Sequence, residues 1–190
     1  MCGIAGMTAV FPGGQLPADS FARLTSSVYV RSMTDTMRYR GPDGDGLWSS
    51  DGVCLGHRRL SIIDLAGGGQ PMHDAHGTLT ITFNGEIYNF REIRSQLEAE
   101  GAHFLSHSDT EVILEAYRHW GTSCVDRFNG MFAFALWDGE KKRLFCARDR
   151  FGKKPFFYTV QNGIFAFASE MSCLRRIPWL RLTTDPHDVM

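Results

Sequence analysis

The sequence predicts an α+β domain built on antiparallel sheets, and three observations predict it. Strand-like segments open the chain, two capped helical segments occupy its middle, and four more strand-like segments follow them. The helices are thus segregated instead of alternating with single strands, which argues against a parallel βαβ sheet. Turn residues separate the last four strand-like segments at short intervals, as antiparallel ribbons require. With 190 residues the chain is long enough to close a substantial core as one domain.

Taken in order, "CGIAGMTAV" reads as a buried first strand whose small residues let the backbone lie close to a neighbour. A helix is expected after "PADSF", with Asp19 as cap and Phe21, Leu24 and Val28 recurring on one face. "YRGPDGDG" stops it, because Gly41, Pro42, Gly44 and Gly46 are turn formers. Short strands are expected near Leu47–Trp48 and Val53–His57, and a clearer one in "TLTITFN", where Leu79, Ile81 and Phe83 alternate with threonines. "NFREIRSQLEAEG" is a helix with Asn89 as cap, Glu92 three residues on and Gly101 as stop. "SDTEVILEAYRHWG" is a second, with Ser108 and Glu111 as capping box and Ile113, Ala116, Tyr117 and Trp120 on its apolar face. "MFAFALWD", "RLFCARD", "PFFYTV" and "IFAFAS" are the four later strands. The final "RRIPWLRLTTDPHDVM" loses periodicity. It is expected to begin a linker over residues 176–190, with the domain itself over 1–175.

Lys and Arg number 20 against 21 for Asp and Glu, so a net charge of −1 gives no bulk reason to expect nucleic acid or an acidic membrane as partner. No apolar run approaches the ~18 residues of a membrane-spanning helix, and a cytoplasmic location is the expectation. The five cysteines, Cys2, Cys54, Cys124, Cys146 and Cys173, are scattered and contain no C-x-x-C pair. Neither a disulfide framework nor a zinc site follows, and a reducing compartment fits.

Chemistry is concentrated in a few stretches. Cys2 is by residue type a small buried hydrophobe. If Met1 is cleaved, however, the same residue carries a thiol nucleophile and an α-amine able to take its proton. Asn84-Gly85 reads locally as a hairpin turn, but a capped helix begins within four residues. At a strand end the two are also suitable oxyanion donors, with Glu86 beside them to receive an ammonium. In "HRRLSIIDL" an arginine leads into an apolar run, as a surface charge or as a clamp for a carboxylate. "GGGQP" is a surface loop or a lid. Asp109 sits at a helix start, where the dipole alone accounts for it. "RDRFGKKPFF" lacks the spacing of a phosphate loop and reads as a solvated turn or a protein interface. His73/His76 and His103/His107 lack the acidic partner of a metal-binding helix, and no metal is expected.

Eight segments in register carry a family resemblance: "MCGIAG", "RGPDGDG", "HRRLSIIDL", "GGQPM", "FNGEIYNF", "SDTEVILEAY", "GMFAFALWD" and "RDRFGKKPFFY". Together they resemble the glutaminase domain of glutamine-dependent asparagine synthetases, a class II glutamine amidotransferase of the N-terminal-nucleophile hydrolases. The resemblance implies a four-layer αββα sandwich with two antiparallel sheets. It implies hydrolysis of L-glutamine to L-glutamate and ammonia through a Cys2 thioester. In that reading the Cys2 α-amine is the base and Asn84 and Gly85 form the oxyanion hole. Arg59, with the chain at Leu60, Ile62 and Ile63, binds the glutamine α-carboxylate, and Glu86 and Asp109 bind its α-ammonium. It further implies a C-terminal synthetase domain that receives the ammonia and alone uses ATP and magnesium, this domain needing no cofactor. Residues Arg148 to Lys154 are expected to face that domain, and a homodimer is carried as a further partner. "TSSVYVRS", residues 25–32, is longer than the family pattern. Two alternatives stay open: a related amidotransferase with a different acceptor, and a catalytically silent interaction domain if Met1 is retained.

Overall fold

The structure is a computed structural model that describes residues 1–10, 27–50, 52–60, 68–181 and 183. The expected helix at Asp19, Phe21 and Leu24, together with Ile62 and Ile63, lies outside the described residues.

Two antiparallel sheets stack face to face. The five-stranded sheet holds β1 (Gly3–Ala9), β2 (Gly44–Ser50), β3 (Val53–Arg59), β8 (Phe157–Gln161) and β9 (Ile164–Ala168), in the order β2-β3-β1-β9-β8. The four-stranded sheet holds β4 (Met72–His73), β5 (Leu79–Ile87), β6 (Gly130–Asp138) and β7 (Arg143–Arg148), in sequence order. Ile4, Leu55, Ala133, Ala135, Trp137 and Phe167 fill the space between the sheets. Helix α1 (Ser27–Thr36) and the short α4 (Met171–Leu174) cover the outer face of the larger sheet over Met7, Met33, Met37 and Cys173. Helices α2 (Phe90–Ala99) and α3 (Asp109–Trp120) cover the outer face of the smaller sheet over Ile81, Phe83, Phe132 and Phe134. The layers are therefore αββα, as expected.

Alternation explains why both faces of β5 are buried: Leu79, Ile81 and Phe83 face the helices, whereas Thr80 and Thr82 enter the space between the sheets. Thr82 is tolerated there because its hydroxyl donates to Gly56 O at 3.1 Å. Ile177 also packs into the core, with Trp179 and Leu180 against it.

Three local expectations are corrected. Val28 is 68% exposed, and α1 buries Val30, Met33 and Thr34 instead. Asn89 occupies the α2 cap position without capping it; its amide donates to Arg127 O and accepts from Asn129 N–H, both at 2.9 Å. Ser108 does cap α3 through Thr110 N–H at 3.2 Å, but Glu111 turns away and accepts from Leu105 and Ser106 N–H at 2.7 Å. In both failures a preceding or distant loop offers N–H groups that have no partner of their own, and the side chain satisfies those first. Beyond these, the two-residue strand β4 has no counterpart in the sequence expectation.

Candidate active site

The β1–β3 register places Gly3 opposite Arg58, so Cys2, one residue before β1, lies beside the end of β3. Leu60 N–H points at Cys2 Sγ at 3.4 Å, and the sulfur lies 3.6 Å from Leu60 O. On the other side Arg40 Nε donates to Cys2 O at 3.1 Å, and its guanidinium pairs with Glu170 at 3.0 Å. Tyr39 hydroxyl donates to the same Glu170 carboxylate. Met1 is exposed; its ammonium donates to Arg40 O at 3.2 Å and its Sδ accepts from Lys154 Nζ at 3.5 Å.

The facing wall is the free edge of β5. Residues 81, 83, 85 and 87 direct their backbone polar groups away from β6, because alternate residues of an antiparallel strand point to opposite neighbours. Gly85 stands opposite Phe132, and Phe132 spends its own N–H and C=O on Asp149 at the β7 side. Ile81 pairs with Met72 of β4, and there the neighbouring strand ends after two residues. Phe83 N–H donates instead to Gln70 Oε1 at 2.6 Å, and Ile87 N–H to Asp109 Oδ2 at 3.0 Å. Gly85 N–H lies between them and opens toward the cleft. A side chain at position 85 would put its Cβ 2.3 Å from Met131 O, so the strand passes there only as glycine. Asn84 is 1% exposed, and its Nδ2 is buried without a hydrogen-bond partner. A buried, unpaired donor is costly and is expected where a ligand supplies the acceptor.

Cys2, Arg59, Leu60, Gln70, Asn84, Gly85, Glu86, Asp109 and Lys154 line one cleft that opens to solvent and encloses about 90 Å³. The Asn-Gly pair is therefore no hairpin turn; it lies inside β5, where the edge runs free. Burial pushes the Asp109 carboxyl up to about 6, and the charge of Glu86 acts in the same direction against the backbone N–H groups of Ile87 and Thr110. Two carboxylates held this close in a cleft favour a cation between them.

Lys154 overturns the reading of "RDRFGKKPFF" as wholly solvated or interfacial: its neighbours Arg150 and Lys153 are exposed, but Lys154 is 6% exposed and faces the cleft. Burial and the charge of Arg40 hold its ammonium below the ordinary lysine range. Asp149 shapes this loop by accepting from the N–H groups of Phe132, Phe151, Lys153 and Lys154 at 2.9–3.2 Å. Burial pushes the Asp149 carboxyl up, but these four bonds outweigh it and hold the group below the usual carboxylate range. A lowered carboxylate value means stability that is present above the unfolded value and is lost as pH falls through the folded one. Asp149→Ala is expected to cost about 2–4 kcal/mol at pH 7, read as a lower urea midpoint, because it orphans buried donors; a midpoint unchanged within error would contradict that account.

Sequence reasoning missed Arg40, Gln70, Lys154 and Glu170 at the site. Arg40 was hidden in a segment read only for its turn, and Gln70 in a glycine-rich loop. Among the described residues lining the cleft there is no histidine. His57, fully buried beneath the site, is driven down to about 3 by burial and by the charge of Arg59, and so stays neutral as a structural group. Among the described residues no cluster of His, Cys, Asp or Glu is arranged to hold a metal, and no helix is long and apolar enough to cross a membrane.

The profile of the glutamine amidotransferase domain family matches residues 1–190. Asparagine synthetase [glutamine-hydrolyzing] 3 of Bacillus subtilis is 46% identical over 155 residues, which is 80% of this chain and 25% of that protein. A putative asparagine synthetase [glutamine-hydrolyzing] of Mycobacterium tuberculosis is 44% identical over 184 residues, 92% of this chain and 28% of that one. Amidase chry2 of Gibberella zeae is 43% identical over 145 residues, 75% of this chain and 22% of its own length. The chain thus spans about a quarter of these relatives. Among solved structures, the glutamine phosphoribosylpyrophosphate amidotransferase of B. subtilis superposes with a TM-score of 0.73 at 16% identity, over 93% of this chain and 43% of that one.

Proposed function

The chain belongs to the glutamine amidotransferase domain family, and from that premise we propose that it hydrolyses L-glutamine to L-glutamate and ammonia through a thioester on Cys2. The observation that carries this reading is the convergence of one thiol with two donors on the same cleft, Gly85 N–H on the β5 edge turned away from β6 and Asn84 Nδ2, which is buried without a partner.

Removal of Met1 leaves the Cys2 α-amine as the base, and no histidine among the described cleft residues competes for that role. The amine takes the thiol proton as sulfur attacks the side-chain carbonyl of glutamine. The oxyanion forms against Gly85 N–H and Asn84 Nδ2, which need no reorganisation to receive it. Collapse expels ammonia with the proton returned by the amine. Water, deprotonated by the same amine, then attacks the thioester through a second oxyanion and releases glutamate. Arg59 holds the substrate carboxylate and Glu86 with Asp109 the ammonium, so binding energy far from the reacting carbon fixes its position.

The share of each relative that this chain covers, and the names of those relatives, support a larger protein with a synthetase part that consumes the ammonia to make an amide; use of ATP and magnesium in that part rests on the family resemblance alone. The exposed residues of the Arg148 to Lys154 loop, Phe151 at 88% among them, are suited to face it, while Lys154 itself turns into the cleft. The similarity to an amidase as well as to synthetases keeps the acceptor open, since acceptor choice would lie in that other domain.

The test is direct: Met1-free protein is expected to release glutamate and ammonia from L-glutamine in equal amounts, and absence of both would end the proposal. Asp109→Asn sharpens it. The ammonium contact exists in ground and transition states alike, so KM for glutamine is expected to rise at least about tenfold with a smaller change in kcat. In the parent protein KM is expected to rise as pH falls through about 6, where the Asp109 carboxylate takes up its proton. Because the folded value is raised, the native state binds the proton more tightly than the unfolded chain and stability falls as pH climbs through that window. The ligand-free Asn variant is therefore expected to melt higher at pH 7, by an amount worth ~1–3 kcal/mol. A lower melting point with kcat alone reduced would reassign Asp109.

A further inference from the structure

We propose that Gln70 is a positioning residue whose side-chain amide replaces a missing strand beside β5 and sets the placement of the Gly85 donor. The proposal rests on the glutaminase reading for its catalytic consequence, though not for its geometry.

Strand β4 pairs with β5 only at Met72↔Ile81 and His73↔Thr80. Two residues farther along the same edge, Phe83 N–H meets no strand, and Gln70 Oε1 accepts from it at 2.6 Å. The other end of the amide donates from Nε2 to Thr110 Oγ1 at 3.3 Å. Thr110 is 2% exposed and follows Asp109 at the start of α3, whose Oδ2 accepts from Ile87 N–H farther along the edge. One carboxamide thereby ties the strand bearing Asn84 and Gly85 to the helix start bearing Asp109. Oxyanion donors and ammonium carboxylate are held in one frame.

The main chain of Gln70 is fixed from behind by β2. A side chain at Gly46 would put its Cβ 1.9 Å from Gln70 O and 3.0 Å from the Pro71 ring, so the larger sheet presses directly on this residue. The frame also has a dielectric purpose. Occupying Phe83 N–H with protein keeps an ordered water off this part of the edge, next to the place where the oxyanion forms against Gly85 N–H. The carboxamide is neutral, and neutrality matters because residues two apart on a strand are only about 7 Å apart.

Two variants test this in the Met1-free protein. Gln70→Ala is expected to speed hydrogen exchange at the Phe83 amide about tenfold or more and to lower kcat for glutamine about tenfold, with KM changed less than about threefold. Gln70→Glu keeps an acceptor for Phe83 N–H, and the Thr110 hydroxyl can turn to donate. Exchange at Phe83 and the melting temperature are expected to stay as in the parent. Its kcat is expected to fall nonetheless, and the ratio of its kcat to the parent's at the same pH to recover as pH is lowered and the new carboxyl protonates, because the added charge opposes the oxyanion. A merely structural glutamine would give the opposite pattern, with the Ala variant losing stability in proportion to activity and the Glu variant fully active. Parent-like exchange at Phe83 in Gln70→Ala, or parent-like kcat in both variants, overturns the proposal. If the parent itself releases no glutamate, the functional reading fails while the exchange measurement still decides the placement of Gln70.

Discussion

Cys2→Ala is expected to lower glutamate release by at least about 10³-fold, the largest effect of any single change in the cleft, since among the described residues no second thiol lines it. The thiol is held between Leu60 N–H and the anchored carbonyl of its own residue, so alanine removes the sulfur without disturbing Arg40 or Glu170. Melting temperature is expected to stay within a few degrees of the parent. Glutamine should still bind, because Arg59, Glu86 and Asp109 remain, and calorimetry on the variant separates binding from chemistry. Equal ammonia release by parent and variant would falsify the assignment of Cys2. The same assignment requires a free Cys2 amine, so protein that retains Met1, confirmed by intact mass, is expected to be equally inactive. There Met1 also lines the cleft, with its sulfur against Lys154.

Asn84→Ala is expected to lower kcat by about 10²–10³ while leaving KM for glutamine within a few-fold, the signature of a donor used only when the oxyanion forms. The structural consequence runs the other way. Asn84 Nδ2 is buried with no partner in the ligand-free protein, so its removal relieves a desolvation penalty while costing a small cavity. Stability is expected to be unchanged or slightly higher, the trade between fold and activity that marks a group kept for chemistry. A variant that lost several degrees of melting temperature and lost kcat only in proportion would show Asn84 to be a structural amide instead.

How much of this was legible in the chain can be judged residue by residue. The alternation of Leu79, Ile81 and Phe83 predicts β5, and the caps and stops around residues 89–101 and 108–121 predict α2 and α3, because these signals depend on near neighbours. Where a side chain had two partners to choose from, local rules failed. Asn89 and Glu111 left their capping roles for unpaired loop N–H groups, and Val28 turned to the outside of α1. The Asn84-Gly85 pair is the instructive case. By local propensity it is a turn, and only the pairing of β5 with β6 along its whole length keeps it extended.

The sequence by itself determined which elements form, that they are antiparallel and layered, and which residue types could carry acyl chemistry, since hydrophobic period, capping and nucleophile identity are written in neighbouring residues. Family resemblance then singled out Cys2, Asn84, Gly85, Arg59, Glu86 and Asp109 among those types. The tertiary structure alone decided that β4 stops after two residues, that Gln70 and Asp109 take the flanking amides, and that Asn84 Nδ2 is buried unpaired beside Gly85 in the cleft that holds the thiol. It also decided that Lys154 is buried while its neighbours are not. Such outcomes depend on which backbone groups have run out of partners once two sheets are stacked, and that is a property of contacts between distant segments.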